Sequence, residues 1–440
     1  MLPSSRYLLA SAPLPAMVVR PPPPHPPSRG TSPLARPPLC RAMARAAPSL
    51  SAAASTATSS STTLAKKKVL LPIAIGTEEM EAVILAGVLR RAGADVTLAS
   101  VEDGLEVEAS RGSRIVADKR IAACADQGGM PGSVRLRDSA ILQRITVRQA
   151  EEKRLYGAIC AAPAVVLMPW GLHKRKKVSG ELTTSRGPGT AFQFALSFVE
   201  QLFGPCTAED MDNTLLTKVD DNLERSIEVN EIEWSSDHNP HVLIPIANGS
   251  EEMEIIMLTD VLRRANVNVV LASVEKSTSI VGSQRMRIVA DKCISDASAL
   301  EYDLIILPGG PAGAERLHKS SVLKKLLKEQ KQTGRMYEAG FTPGDILGLK
   351  TLGILYSLAW KITAIEIVDQ DKTVTAHPSI VNQLTCEVID RSKVVIDGNL
   401  ITGMGLGTVI DFSLAIIKKF FGHGRAKGVA NGMVFEYPKS

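Results

Sequence analysis

Aromatic residues make up only 4% of the 440-residue chain, and the six cysteines include no CxxC pair and no Cys/His spacing suited to zinc. No apolar run approaches the roughly 20 residues of a membrane helix; the best, residues 352–359, ends shortly before Lys361. A structural metal, a disulfide scaffold and a membrane span are therefore excluded as expectations. The few aromatics, with no basic face interleaved among them, also exclude a nucleic-acid surface. A soluble chain for a reducing compartment is expected, with no cofactor.

Acidic residues are missing altogether from positions 1–65, where Ser, Ala and Pro abound around Arg6, Arg20, Arg29, Arg36, Arg41 and Arg45. That composition reads as a disordered transit peptide. The Ser/Thr/Ala stretch from Ser49 to Thr63 favours the chloroplast. A mitochondrion, or the cytosol with Met43 as the start, are the alternatives. Removing six arginines and no acids from a net charge of +5 leaves about −1, so the basic character belongs to the leader.

What is present is a duplication. Residues 69–102 read VLLPIAIGTEEMEAVILAGVLRRAGADVTLASVE, and 173 positions later residues 242–275 read VLIPIANGSEEMEIIMLTDVLRRANVNVVLASVE. Each copy opens with an apolar β-prone run, a Gly turn and a helix with acids in its first turn and arginines in its last, as the helix dipole favours. Thr77 and Ser250 stand where an N-cap is expected. A second β-rich run follows at once, so the unit is a βαβ crossover and the class is α/β with parallel sheets. Further helices are expected over 322–333, 192–203 and 412–421. The domains run over 68–204 and 241–440, with a polar linker over 205–240.

The best reactive-site candidate is Tyr156-Gly157-Ala158-Ile159-Cys160-Ala161-Ala162-Pro163, where small residues surround a cysteine between an apolar run and a proline. This pattern suits a sharp strand-to-helix elbow, with a helix N-terminus expected to lower the thiol pKa. Taken alone, a Cys amid Ala and Ile is more often a small buried hydrophobe.

GTEEME, VLRRAG, GAICAAP and SRGPGT in the first copy, with YDLIILPGG and TAHPS in the second, resemble the ThiJ/PfpI superfamily. The resemblance is to its parkinsonism-associated deglycase subgroup, in a tandem-domain plant form. It implies two flavodoxin-like (class I glutamine amidotransferase-like) sandwiches and cofactor-independent glyoxalase or deglycase chemistry on methylglyoxal and its adducts. Peroxide sensing and chaperone-like protection are also attributed to that family. Cys160 then matches the nucleophile, and Glu81 the acid hydrogen-bonded to it. Gly128 and Gly129 match a loop whose N–H groups, with that of Ala161, hold an oxyanion. Arg111 matches an arginine at the pocket mouth, where the second copy has Gln284. The family also implies pairing across a two-fold, here as an intramolecular pseudo-dimer of the repeats.

Both copies are incomplete against that pattern. Between VADK and the Gly pair the first has eight residues, Arg120 to Gln127, and the second sixteen, Cys293 to Pro308; the difference is the strand YDLIIL. At about 1.5–3 kcal/mol per large apolar side chain, four such residues forfeit roughly 6–12 kcal/mol, so the first copy is not expected to fold alone. It also lacks any match to His377, its own His173 lying in a Lys/Arg cluster. The second copy keeps Glu254, Gly309, Gly310 and His377, but has no cysteine from Tyr337 to Gln370, and Cys386 has no elbow around it. Breaks so abrupt between well-matched flanks point to altered splicing more than to gradual divergence.

The leading expectation is a stress protein clearing dicarbonyls or repairing glycated protein, with Cys160 and Glu81 its surviving catalytic pair. The alternative is a catalytically inactive redox-sensing or chaperone-like protein. A protease or amidotransferase is disfavoured because neither copy completes a Cys-His-acid triad.

Overall fold

The apolar run of the first copy forms β1 (Lys68–Ile73), followed by helix α1 (Glu79–Arg91) and β2 (Asp95–Ser100), which pairs parallel to β1. A hairpin of β3 (Glu106–Glu108) and β4 (Arg114–Val116) leads to the short β5 (Lys119–Arg120). Helices α2 (Gly132–Asp138) and α3 (Ala140–Glu151) precede β6 (Tyr156–Ile159) and β7 (Leu182–Ser185). Then come α4 (Ala191–Phe203), α5 (Pro205–Leu215) and β8 (Ile227–Val229). The computed structural model describes residues 67–124, 132–172, 181–217, 223–234, 238–333, 336–339, 372–379, 381 and 387–437. All fall within one compact unit, Thr58–Ser440.

The second copy repeats the plan more fully. Its elements are β9 (His241–Ile246), α6 (Glu252–Arg264), β10 (Asn268–Ser273), β11 (Ser279–Val281), β12 (Arg287–Val289), β13 (Lys292–Cys293) and α7 (Ile294–Ala297). They continue with β14 (Leu304–Leu307), α8 (Pro311–Lys319), α9 (Ser321–Gln332), β15 (Met336–Ala339), β16 (Thr373–Val374) and β17 (Glu387–Val388). The last are β18 (Val394–Asp397), β19 (Leu400–Gly403), α10 (Val409–Phe421) and α11 (His423–Gly432). Its sheet has the order β13-β10-β9-β14-β15-β19-β18-β8, parallel except for the β18–β19 hairpin. The flavodoxin-like α/β class expected from the sequence is thus present. Of the stretch 205–240, α5 packs on α4 and β8 edges the sheet of the second copy.

In the first copy the same sheet is broken in two. Strands β5-β2-β1 form one piece and β6-β7 another, with no strand between β1 and β6 among the described residues. The break falls where the second copy inserts β14. Its effect on packing is direct: Val242, Leu243 and Ile244 of β9 are 0% exposed, while Val69, Leu70 and Leu71 of β1 remain half-buried. Behind β14 a single apolar cluster gathers Leu243, Ile305, Leu307, Leu323 and Leu327. The first copy has two separate small clusters there, one around Ala99 and Ile141 and one around Ala158 and Leu182.

The other helical layer is continuous across the repeats. Helix α1 packs on α4 and α6, and α6 on α10, so α1 is buried from Glu79 to Leu89. Strand β4 pairs antiparallel with β12, Ile115 opposite Ile288, which joins the two hairpins into one four-stranded sheet. The last-turn arginines cross between copies as well as complementing a dipole: Arg90 donates to the Gln284 carbonyl and Arg263 to the Arg111 carbonyl, both at 2.9 Å. Arg264 pairs with Glu78 at 2.7 Å and Arg91 with Glu251. The caps also correct the sequence reading. Glu78 and Glu251 cap α1 and α6, accepting from the Glu81 and Met253 amides, while Thr77 and Ser250 accept from Ala74 and Ala247 within the preceding turns.

Candidate active site

Cys160 follows β6 directly and takes a left-handed backbone conformation, φ 59°. Its N–H is held by the Ser185 carbonyl at the end of β7, 3.0 Å away. A non-glycine residue held there stores backbone strain and projects its side chain out of the strand. The elbow is real, but the helical turn beyond it, Pro163–Leu167, is only five residues long and has little dipole to offer. The expected depression of the thiol pKa is accordingly overturned. Burial, then the charge of Glu81, push the Cys160 thiol up, and the Ala161 N–H at the sulfur only partly opposes them.

Glu81 sits in the first turn of α1, 8% exposed, and faces Cys160. Burial raises its carboxyl to about 7, helped by Asp260 and opposed by a hydrogen bond to Cys160 and the charge of Arg264. At neutral pH the protonated and ionised forms are therefore both populated. Its Oε1 is buried without a hydrogen-bond partner, so it is open to a group brought in at the sulfur. Buried acids continue across the copies, from the N-cap Glu78 of α1 to Asp260 in the later part of α6. Burial raises Glu78 to about 8 and Asp260 to about 6.

The sequence comparison missed Asp260, although the signal was there: α6 carries Asp260 where α1 has Gly87. Oxygens of Glu78, Glu79 and Asp260 lie within 4.8 Å of one another, a spacing compatible with a cation. Arg264 already donates to both Glu78 and Asp260, at 2.7 and 2.6 Å, and so supplies the positive charge a metal would bring.

Of the remaining candidates, Ala161 lies on the elbow with its N–H at the sulfur. Arg111 is exposed and lines a cleft of about 480 Å³ with Arg264, Arg425 and glycines of α11; Cys160 and Glu81 do not line it. Gly128 and Gly129 lie outside the described residues, as do His173, Cys386 and the segment replacing the elbow in the second copy.

In the second copy, Glu254 accepts a hydrogen bond from the Gly309 N–H, and the Glu251 N–H donates to the Gly309 carbonyl at 2.9 Å. Gly310 has φ +94° and approaches the 249–251 turn so closely that a Cβ would lie 2.3 Å from the Gly249 oxygen. His377 is buried and bonds Ser379 at 2.9 Å. Burial lowers its pKa, opposed by the Thr214 backbone of α5. Among the described residues no histidine is one of the groups acting on Cys160.

The DJ-1/PfpI family model matches residues 67–181 and 240–339. Protein DJ-1 homolog B of Arabidopsis thaliana is 38% identical over 395 residues, covering 82% of this chain and 86% of that protein. The glutathione-independent glyoxalase DJR-1.2 of Caenorhabditis elegans is 30% identical over 184 residues, 41% of this chain and 88% of that one. Among solved structures, Drosophila melanogaster DJ-1beta shares 30% identity, with a TM-score of 0.40, covering 46% of this chain and all (100%) of that one.

Proposed function

The chain belongs to the DJ-1/PfpI family, and from that premise we propose that this DJ-1-type stress protein converts methylglyoxal and its adducts without a cofactor, through Cys160. The observation that carries the reading is the strained Cys160 elbow facing a buried glutamate whose pKa lies at about 7. The name of the worm relative, a glutathione-independent glyoxalase, supports the choice of reaction.

In this mechanism the Cys160 thiolate adds to the aldehyde carbon, and the carbonyl oxygen takes up a proton to give a hemithioacetal. Glu81 as carboxylate removes the proton on that carbon, then as acid returns it to the neighbouring carbon, leaving a thioester of lactate. Water cleaves the C–S bond, releasing lactate and restoring the thiol. One water is consumed and no oxidant or reductant is needed. A glutamate near neutrality serves both proton steps, and the Ala161 N–H steadies charge at the sulfur.

The two repeats act here as an intramolecular pair, a reading supported by their reciprocal ion pairs. The test is methylglyoxal consumption and D-lactate formation by residues 66–440 beside Cys160→Ser, with circular dichroism as a folding check. Turnover lost on substitution is expected; a folded protein without turnover would overturn the enzyme reading.

A second reading is favoured by one observation: the Cys160 thiol is exposed on its elbow. An accessible thiol can be oxidised by peroxide, the sulfur passing to sulfenic and then sulfinic acid beside Glu81. Cys160 sulfinate in a protein that leaves methylglyoxal untouched distinguishes it.

A further inference from the structure

Helices α5 and α11 hold equivalent places in the two copies and present opposite surfaces. Each follows a glycine of positive φ, Gly204 or Gly422, and stops twelve positions later at a left-handed residue, Leu216 or Val434. In that register Gly424, Arg425, Gly428 and Gly432 of α11 stand where α5 has Cys206, Thr207, Asp210 and Thr214. The three glycines recur every fourth residue and so share one face of the helix. A Cβ on any of them would meet nothing within 4 Å, so close packing does not require glycine there, and glycine weakens a helix interior. Their missing side chains leave room instead: they floor an open cleft of about 480 Å³.

Three guanidiniums, of Arg111, Arg264 and Arg425, stand around that floor, and no acidic residue is among those lining it. Arg264 is the inner one, its side chain 11% exposed, and Glu78 and Asp260 answer its charge. The other two are unanswered. Arg111 is exposed, and Arg425 stacks over the Phe421 ring, 5.5 Å from its centroid. Among the described residues neither guanidinium has a hydrogen bond or an ion pair. Stacking occupies the face of a guanidinium and leaves its edge N–H groups free to donate. The second copy does not repeat the arrangement: Gln284 stands for Arg111, Thr207 for Arg425, and the acid Asp210 for Gly428.

The cleft adjoins the Cys160 elbow. The Arg111 N–H donates to Glu79 at 3.1 Å and Arg264 donates to Glu78, so two of its walls are tied to the turn that starts α1 and carries Glu81. At the other end Gly432 is followed by Met433, whose carbonyl accepts from the Gly189 N–H at 2.8 Å. Gly189 belongs to the turn that follows Ser185, the residue whose carbonyl holds the Cys160 amide. We propose that this cleft binds the phosphate of a small phosphate monoester and holds the rest of that molecule beside the elbow. Arginine forks match phosphate oxygens in pairs. A monoester is mostly a dianion at neutral pH, which the two unanswered guanidiniums neutralise. The volume suits a small organic molecule better than a bare ion. The favoured substrate is then an aldehyde that carries a phosphate, a step that rests on the glyoxalase reading; the binding itself does not.

The test is isothermal titration of the full chain with glycerol 3-phosphate, inorganic phosphate and glycerol. Saturable binding of the ester is expected, with inorganic phosphate at least about tenfold weaker and glycerol not bound. Arg425→Gln removes one charged contact and should weaken the ester at least about tenfold. Gly428→Asp, which gives α11 the residue α5 has at that position, should abolish binding, while Arg148→Gln, outside the cleft, leaves it unchanged. Iodoacetamide labelling of Cys160, read by peptide mass spectrometry, should be lost as the ester saturates, with Cys124 labelled as before. A protein that binds the ester in this way yet leaves methylglyoxal untouched removes the glyoxalase reading and keeps the site. Absence of saturable binding, equal affinity for ester and inorganic phosphate, unchanged affinity in both cleft variants, or undiminished labelling of Cys160 overturns the proposal.

Discussion

Two side chains carry the proposed chemistry, and burial is the first cause that raises the pKa of each. The charge of Glu81 adds to the rise of the Cys160 thiol, whereas the hydrogen bond to Cys160 draws the Glu81 carboxyl back down. Thiolate is therefore scarce at neutral pH, and Glu81 is held where it can give or take a proton. The displacement has a stability signature. A carboxyl raised from 4.5 to about 7 on folding favours the native state fully below the unfolded pKa, and that contribution is lost as pH rises through about 7. Glu81→Gln is thus expected to be close to neutral near pH 4.5 and to stabilise the fold at pH 8 by up to about 3 kcal/mol. It should also slow methylglyoxal turnover by about 10²–10⁴-fold. Urea unfolding of both proteins at the two pH values checks this, and a pH-independent difference would sink it.

Glycines show how the same residue type is demanded in one element and merely tolerated in another. Gly310 precedes α8 with φ +94°, pressed against the Gly249 carbonyl, and its neighbour Gly309 satisfies the buried Glu254. Gly428, inside α11, has nothing within 4 Å of its would-be Cβ. Gly310→Ala is expected to destabilise by more than about 3 kcal/mol, combining backbone strain with an unavoidable clash. Gly428→Ala should stabilise by about 0.5–1 kcal/mol, from helix propensity alone. Denaturant midpoints of the two variants decide it; a similar change in both would refute the distinction. Helix capping obeys similar local logic. Gly93 and Asn266 both end their helices with positive φ, glycine and asparagine being the residues that accept it most readily.

The repeats are held together by an interface that is reciprocal in its arginines and unequal in its acids. Arg264 bridges Glu78 of the first copy and Asp260 of its own, both largely buried. The matching Arg91 meets Glu251, with only Gly87 where the extra acid would stand. The second copy, lacking an elbow cysteine, thereby supplies charge beside the glutamate that faces the first copy's cysteine. Removing Arg264 strands two buried carboxyls, so Arg264→Ala is expected to cost about 3–5 kcal/mol. The loss should be larger at pH 8 than at pH 5, because the stranded acids must then ionise. Arg148, paired with Glu152 on the surface, provides the comparison: its alanine variant should leave stability nearly unchanged, because solvent screens the pair. Equal losses in chemical unfolding would mean that the bridge contributes little.

The duplication, the βαβ units, the cysteine on its elbow, its acidic partner and the missing strand could all be read from residue order. Each leaves a local mark: an apolar run, a small-residue cluster, or a gap when VADK and the Gly pair are aligned between copies. The direction of the Cys160 pKa shift could not be read, because it depends on the length of the helix after the elbow and on a carboxylate 79 positions earlier in the chain. Nor could the partners of Arg90, Arg91, Arg263 and Arg264, since a last-turn arginine looks the same whether it meets solvent, a dipole or another repeat. Asp260 against Gly87 was visible as a difference, but its meaning awaited the packing of α6 on α1. Periodicity and motif record what a segment buries and how it turns; charge and hydrogen bonding act across contacts that only chain folding brings together.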